Sequence, residues 1–299
     1  MKILLTGASG FIGGQLLTAL IEKYGSNAVI ALTSKKITGV NCLIYKSFSD
    51  FGLDSDCFNE ITHVIHAGAF IPKDAQQANN INMCFESINY TKVFLSYEFK
   101  SLLKLINIST IDVYASIEDE LSEGSKVEPV SLYGSSKLYC EEMVKAFSAQ
   151  RNVSYTNLRI GHVYGPGEEK YKKVLPIAIQ NILEDNPVEL WGDGSDLRSF
   201  IFIEDVVEAI LNSLEVPEKN LDINVVSGIS VSIHDLLYKI IDISGKQVRV
   251  DRKESNHKKR DLVFDNSLLL KTLLKKETDL MQGLKIEYEY MKNKYENNI

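Results

Sequence analysis

The chain has 299 residues, 44% hydrophobic and 24% charged, and its 40 acidic residues against 33 basic ones leave a net charge of −7. This is ordinary globular composition, with chain enough for one large domain or two smaller ones, and the acidic balance argues against nucleic acid or an anionic membrane as principal partner. The four cysteines, Cys42, Cys57, Cys84 and Cys140, show neither CxxC pairing nor metal-ligand spacing. That pattern predicts a reduced cytoplasmic setting without disulfides or a metal.

The start MKILL is too short an apolar run for a signal peptide, and no apolar run reaches the ~18 residues of a membrane span. In chain order, KILLTG (2–7) predicts a strand and IGGQLLTALIEKY (12–24) a helix. AVIALT (28–33) predicts a strand, and THVIHAGA (62–69) contains another. SINYTKVFLSYEFKS (87–101) has helical spacing, LKLINIST (103–110) predicts a strand, SSKLYCEEMVKAFSAQ (135–150) a helix and VSYTNLRI (153–160) a strand. Strands apolar on both faces and separated by helices predict an α/β protein with a Rossmann-like, doubly wound parallel sheet. Such sheets bind ligands beyond the carboxyl ends of their strands.

Past GHVYGPGEEK (161–170) the rhythm changes. VLPIAIQNILE (174–184) predicts a helix, WGDGSDLRS (191–199) turns, and FIFIEDVVEAILNSL (200–214) a short strand and a helix. LDINVVS (221–227) predicts a strand, SIHDLLYKIIDIS (232–244) a helix, and 285–299 a surface helix that frays. The expected division is a dinucleotide-binding domain of 1–165 plus about 200–227, and a smaller C-terminal substrate lobe of 166–199 and 228–299.

TGASGFIG (6–13) sets Gly7, Gly10 and Gly13 between a strand and a helix. Gly7 permits the tight turn, Gly10 lets backbone approach a pyrophosphate, and Gly13 allows close helix packing. Phe11 and Ile12 open the helix, whose free N–H groups face the phosphate charge. A dinucleotide is the expected cofactor. About 20 residues on, where an acid would receive the ribose hydroxyls of NAD, stand Thr33, Ser34, Lys35 and Lys36. Hydroxyls and ammonium groups there favour NADP(H) over NAD(H); lysines that merely solvate a loop are the plainer alternative.

SLYGSSKLYCEE (131–142) carries Tyr133 and Lys137 four apart, on one face of a helix. A phenol with an ordinary pKa of ~10 works near neutrality only if its anion is stabilised, which a nearby ammonium can do. Tyr139 and Cys140, just beyond, read as packing. INISTIDVYAS (106–116) ends a strand with Ser109 and Thr110 at the carboxyl edge, where a hydroxyl can donate to a substrate oxygen.

Taken in order, TGASGFIG, HAGA (66–69), Asn89 of SINYTK, STIDVY, YGSSK, LRIGHVYGPG and LRSFIFIEDVVEAI resemble the extended short-chain dehydrogenase/reductase family over nearly the whole chain. More narrowly they resemble its nucleotide-sugar epimerase/dehydratase branch. The resemblance implies that Tyr133 is the acid/base, Lys137 its partner and Thr110 the substrate-orienting hydroxyl, with Ser109 second choice. It adds Ala67, Gly68, Ala69 and Asn89 to the cofactor site. Sugar 4,6-dehydratases carry an acidic pair after the threonine; here Ile111 stands at its first place and Asp112 at its second, a candidate base or simply a loop anchor. His162 stands where most relatives have an asparagine that touches the substrate diphosphate, Arg198 matches a phosphate-binding arginine, and Arg260 in HKKRD (257–261) a second.

The resulting expectation is an NADPH-dependent reductase of a nucleotide-linked 4-keto-6-deoxy sugar, with Tyr133 as proton donor. A nucleotide-sugar 4-epimerase and then a 4,6-dehydratase are the alternatives, and a catalytically silent NADP-binding regulator is the alternative from another class. The expected partner is a nucleotide-diphosphate sugar, and a homodimer is compatible with the chain.

Overall fold

A computed structural model describes residues 1–115, 120–217, 220–255 and 259–297. Two compact units emerge: Met1–Ala115, Ser125–Ile160 and Val207–Val225 form the first, and Ser116–Gly124, Gly161–Val206 and Val226–Ile299 the second. The first unit runs β1 (Ile3–Thr6), α1 (Phe11–Tyr24), β2 (Val29–Thr33), β3 (Asn41–Ile44), β4 (His63–His66), α2 (Ala75–Ala78), α3 (Ile81–Leu95), β5 (Lys104–Thr110), α4 (Leu132–Arg151) and β6 (Ser154–Ile160). The second unit takes up β7 (His162–Tyr164), α5 (Val174–Leu183), β8 (Val188–Trp191) and β9 (Leu197–Phe202). Helix α6 (Ile203–Ser213) leads the chain back to the first unit for β10 (Leu221–Val225). β11 (Ser230–Ser232), α7 (Ile233–Ser244), β12 (Val250–Lys253), α8 (Ser267–Thr272) and α9 (Leu280–Glu296) complete the second.

The first unit is built on a seven-stranded sheet in the order β10-β6-β5-β4-β1-β2-β3, parallel throughout. Its interior strands are apolar on both faces because helices cover both, and every residue of β1 and β5 is buried. The order reverses direction between β1 and β4, which places the ends of those strands at the switch point where such sheets bind ligands. The predicted fold class is the observed one.

Local chemistry sets the helix ends. The Ser131 hydroxyl accepts from the Gly134 N–H (3.1 Å) to start α4, and Asn152 closes it in the left-handed region at φ 53°. Helix α3 begins at Ile81, earlier than apolar spacing alone suggested, because Asn80 caps it by accepting from the Met83 N–H (3.1 Å). The C-terminal helix also departs from expectation. Instead of lying free on the surface, α9 buries Leu284, Glu287, Tyr288 and Met291 at helical spacing.

Its buried glutamate is unusual. Glu287 (1% exposed) meets Glu168 (2% exposed), and the Lys173 ammonium lies 3.2 Å from the Glu168 carboxylate. Burial and then the charge of Glu168 push Glu287 up to about 9, so Glu287 keeps its proton near neutral pH. Between the ordinary carboxyl value of 4.5 and about 9, the folded chain holds a proton there that the unfolded chain has lost, so this group's contribution to stability falls as pH rises through that window. Glu287→Gln preserves shape and donor but has no proton to lose. Thermal melts from about pH 5 to about pH 9 should therefore fall less steeply for the variant, which should be the more stable protein at the alkaline end. Parallel curves would mean that Glu287 is ionised in the fold.

Candidate active site

At the end of β1 the chain turns through Gly7 at φ 72°, a conformation that side-chain-bearing residues avoid. A Cβ on Gly7 would stand 2.6 Å from the Ala67 carbonyl oxygen, and one on Gly13 only 2.0 Å from that of Gly7. The turn after β1 thus packs directly against the 67–69 segment after β4, with Ala67, Gly68 and Ala69 half-buried. Helix α1 has Gly10 as its N-cap, with no capping side chain and no acid in its first turn. Its positive dipole end faces the turn and favours an anion there. A pyrophosphate fits this cradle. Phe11 is buried beneath it, Ile12 half-buried, and Asn89 is half-buried on α3.

A buried relay ties the two turns to the sheet. The Gly68 N–H donates to the Thr6 hydroxyl (2.7 Å), which lies 3.2 Å from His66 Nδ1. His66 Nε2 is 3.0 Å from the Thr91 hydroxyl, which donates to the Ser87 carbonyl (2.9 Å). Burial and the Lys137 charge lower His66 to about 3. The imidazole is therefore neutral, receives from Thr6 at Nδ1 and donates from Nε2. At the end of β2, Thr33 is buried and its hydroxyl accepts from the Lys35 N–H (3.3 Å). Ser34, Lys35 and Lys36 are exposed, and neither lysine has an ion-pair partner among the described residues.

The candidate acid/base stands at the start of α4. A Cβ on Gly134 would lie 2.2 Å from the Asp112 carbonyl oxygen, so only glycine lets the first helical turn rest on the turn formed by Ile111–Val113. This contact sets Tyr133 (9% exposed) near the Thr110 hydroxyl. Burial and then the nearby Asp112 charge raise the Tyr133 phenol, and the Thr110 hydroxyl only partly opposes them. The Lys137 ammonium donates to the Ile108 carbonyl (2.7 Å), and burial lowers it against the opposing pull of Cys140 and Glu141. Ser109, the second choice for a substrate hydroxyl, instead donates to the Glu141 carboxylate (2.5 Å). Thr110, Tyr133 and Lys137 are thus brought together, and Asp112 borders them.

Sequence reasoning missed Gly134, Glu141, Arg159 and the Thr6–His66 relay. A weak signal existed for Glu141, which continues the four-residue spacing of Tyr133 and Lys137. The pairing of Glu141 with Arg159 depends on strand order and has no local sign.

In the second unit, a cavity of about 240 Å³ is lined by His162, Glu168, Lys173, Arg198 and Phe200 among others. Arg198 donates to the carbonyls of Leu197 (2.8 Å) and Arg260, and the Arg260 N–H donates to Asp196 (2.8 Å). Burial, followed by the charges of Arg198, Lys173 and Arg260, lowers His162 to about 3. A neutral imidazole among cations, with buried His162 Nδ1 and Arg260 Nε lacking hydrogen-bond partners among the described residues, suits an anionic ligand. The first two residues of the HKKRD stretch lie outside the described residues. Among the described residues no group of His, Cys, Asp and Glu is placed to hold a metal, and no helix is long and apolar enough to cross a membrane.

Comparison with known proteins follows the same lines. Residues 3–226 match the NAD dependent epimerase/dehydratase family. A dTDP-D-glucose 4,6-dehydratase of Dictyostelium discoideum is 28% identical over 273 residues, which are 81% of this chain and 62% of that protein. The chain therefore spans less than two thirds of that relative. A putative UDP-glucose 4-epimerase of Methanocaldococcus jannaschii is 27% identical over 307 residues, 97% of this chain and 98% of that protein. The crystal structure of UDP-glucuronic acid 4-epimerase from Bacillus cereus, with UDP-glucuronic acid and NAD, superposes with a TM-score of 0.83 at 25% identity, covering 99% of this chain and 100% of that one. These relatives favour the epimerase and dehydratase alternatives over the expected reductase. The match runs from the first strand of the large sheet to its last, and the chain is an enzyme that belongs to the NAD dependent epimerase/dehydratase family.

Proposed function

We propose that the protein is an NAD(P)-dependent nucleotide-sugar 4-epimerase. Support comes from the residue after the Thr110–Tyr133 pair: Ile111, aliphatic and 5% exposed. A 4,6-dehydratase must remove a proton from C5 and protonate a departing hydroxyl at C6, which calls for an acid and a base besides the tyrosine. The segment here offers only Asp112. Epimerisation at C4 needs no carbon acid chemistry.

In this reading the Gly7–Gly13 turn and the open end of α1 hold the pyrophosphate, and Lys137 holds the nicotinamide ribose. Bound there, a nicotinamide dinucleotide supplies reversible hydride acceptance from C4. The chain's own residues manage the proton. Tyr133 takes it from the C4 hydroxyl, with Thr110 orienting that oxygen, and returns it once C4 has been reduced on its other face. The elevated Tyr133 pKa keeps the phenol protonated in the free enzyme, so a positive charge brought close to it on binding is what makes it a base. The cavity lined by His162, Lys173 and Arg198 is the candidate for the substrate diphosphate.

With NAD⁺ in D₂O, candidate UDP- and dTDP-sugars should yield their C4 epimers without net cofactor change and without ring deuterium. Enzyme-dependent deuterium at C5 would establish dehydratase chemistry instead, the reading favoured by the carboxylate of Asp112 beside Tyr133. Net consumption of NADPH would restore the reductase.

The exposed Ser34, Lys35 and Lys36 carry no acid to repel a 2′-phosphate, so NADP(H) is accepted as well as NAD(H). A charge-assisted phosphate contact contributes roughly 1.5–3 kcal/mol. Lys35→Ala with Lys36→Ala should therefore weaken NADPH about tenfold or more while leaving NADH binding unchanged; equal losses for both cofactors would remove the loop from phosphate recognition.

A further inference from the structure

Three consecutive residues of β5 meet three residues of α4 spaced by four. Thr110 lies near Tyr133, the Ile108 carbonyl accepts from Lys137 (2.7 Å), and the Ser109 hydroxyl donates to Glu141 (2.5 Å). The first two contacts serve the acid/base chemistry proposed above. The third involves a carboxylate that is fully buried, at 0% exposure, and is assigned no step in that chemistry.

Glu141 is gripped by the fork of Arg159, whose Nε and Nη2 donate to its two oxygens at 3.1 and 2.8 Å. The guanidinium, itself 3% exposed, lies 5.0 Å from the centre of the Tyr114 ring, and its Nη1 donates to the Tyr114 hydroxyl (2.8 Å). That hydroxyl donates in turn to Asn224 (2.7 Å), and Arg159 Nη2 lies 3.5 Å from Asp222. One helix residue is thereby fixed to β5, β6 and β10, and to the segment that follows Thr110. A bidentate pair of this kind fixes direction as well as distance.

We propose that Glu141 is a positioning residue for the acid/base chemistry: clamped by Arg159 and Ser109, it locks the rotation of α4 against β5 so that Tyr133 and Lys137 meet Thr110 and Ile108. The proposal rests on the roles given to Tyr133 and Lys137 above. Glu141 acts on Lys137 electrostatically as well. Burial pulls the ammonium toward neutrality, and Glu141 and Cys140 oppose it. The other titratable or charged groups around the pair are His66 on β4, held neutral, Arg159 on β6, Asp222 on β10, Tyr114, and Asp112 with Tyr133 at the start of α4. Removing the Glu141 charge leaves Arg159 facing only Asp222, 3.5 Å away, and both changes push Lys137 downward.

The test is a carbon-13 titration of the Lys137 Cε resonance in cofactor-free protein, comparing the native chain with Glu141→Gln. The Lys137 midpoint should fall by about one pH unit or more; an unchanged midpoint overturns the proposal. Because Glu141→Gln leaves a buried arginine unpaired and can fail to fold, Ser109→Ala is the second variant. It keeps the ion pair and deletes only the link from β5. Turnover should drop about tenfold with KM and melting temperature near native, whereas native turnover, or a loss of stability alone, overturns the positioning role. The titration needs no substrate, so its failure is distinct from that of the epimerase reading, which would show as native protein that epimerises no nucleotide sugar.

Discussion

A carboxylate sealed from water beneath α4, and the arginine that neutralises it, fix where that helix sits against the sheet. Separating charges at such a site is expensive: removing one partner of a buried pair commonly costs about 3–5 kcal/mol, because the other is left charged in a poor solvent. Glu141 and Arg159 make two hydrogen bonds to each other and further ones to Ser109 and Tyr114. The helix cannot turn about its axis without breaking this set. Tyr133 lies two turns away on the same face, and the close approach at Gly134 fixes the other end of the contact against the Asp112 carbonyl. Orientation of the phenol follows from these two constraints.

The dinucleotide cradle depends on the same sheet. Strands β1 and β4 are neighbours in space though not in sequence, which brings the Gly7 turn to Ala67 and lets the Gly68 N–H reach Thr6. His66, neutral and stacked at 4.9 Å on Phe94 and 5.5 Å on Tyr90, fastens both turns to α3 through Thr91. The second unit contributes a different physical environment, a cavity in which burial, and after it the charges of Arg198, Lys173 and Arg260, keep His162 unprotonated. An anion placed there offsets the charge part of that depression.

Much of this was legible in the sequence because it depends on local rules. The glycine turn and the apolar strands follow from backbone conformation and periodicity, which neighbouring residues dictate. The pairing of Tyr133 with Lys137 was legible from helical spacing, and the strand end put Ser109 and Thr110 at the carboxyl edge. What escaped depends on contacts distant in sequence. Arg159 reads as one charge in an apolar strand until β6 is placed beside β5. Glu287 reads as surface charge until α9 is laid on the segment holding Glu168. The Ile108 carbonyl that receives the Lys137 ammonium had no local sign in the sequence. The reductase expectation leaned on the Lys35–Lys36 loop, which bears on which dinucleotide binds and says nothing of what happens at C4.

The fate of the hydrogen at C4 tests the account most directly. A nucleotide sugar carrying deuterium at C4 should be converted to its epimer with the label still at C4, because the dinucleotide returns what it received within one turnover. Label appearing at C6 of a keto-deoxy product, or on a reduced dinucleotide released from the enzyme, would contradict the 4-epimerase assignment.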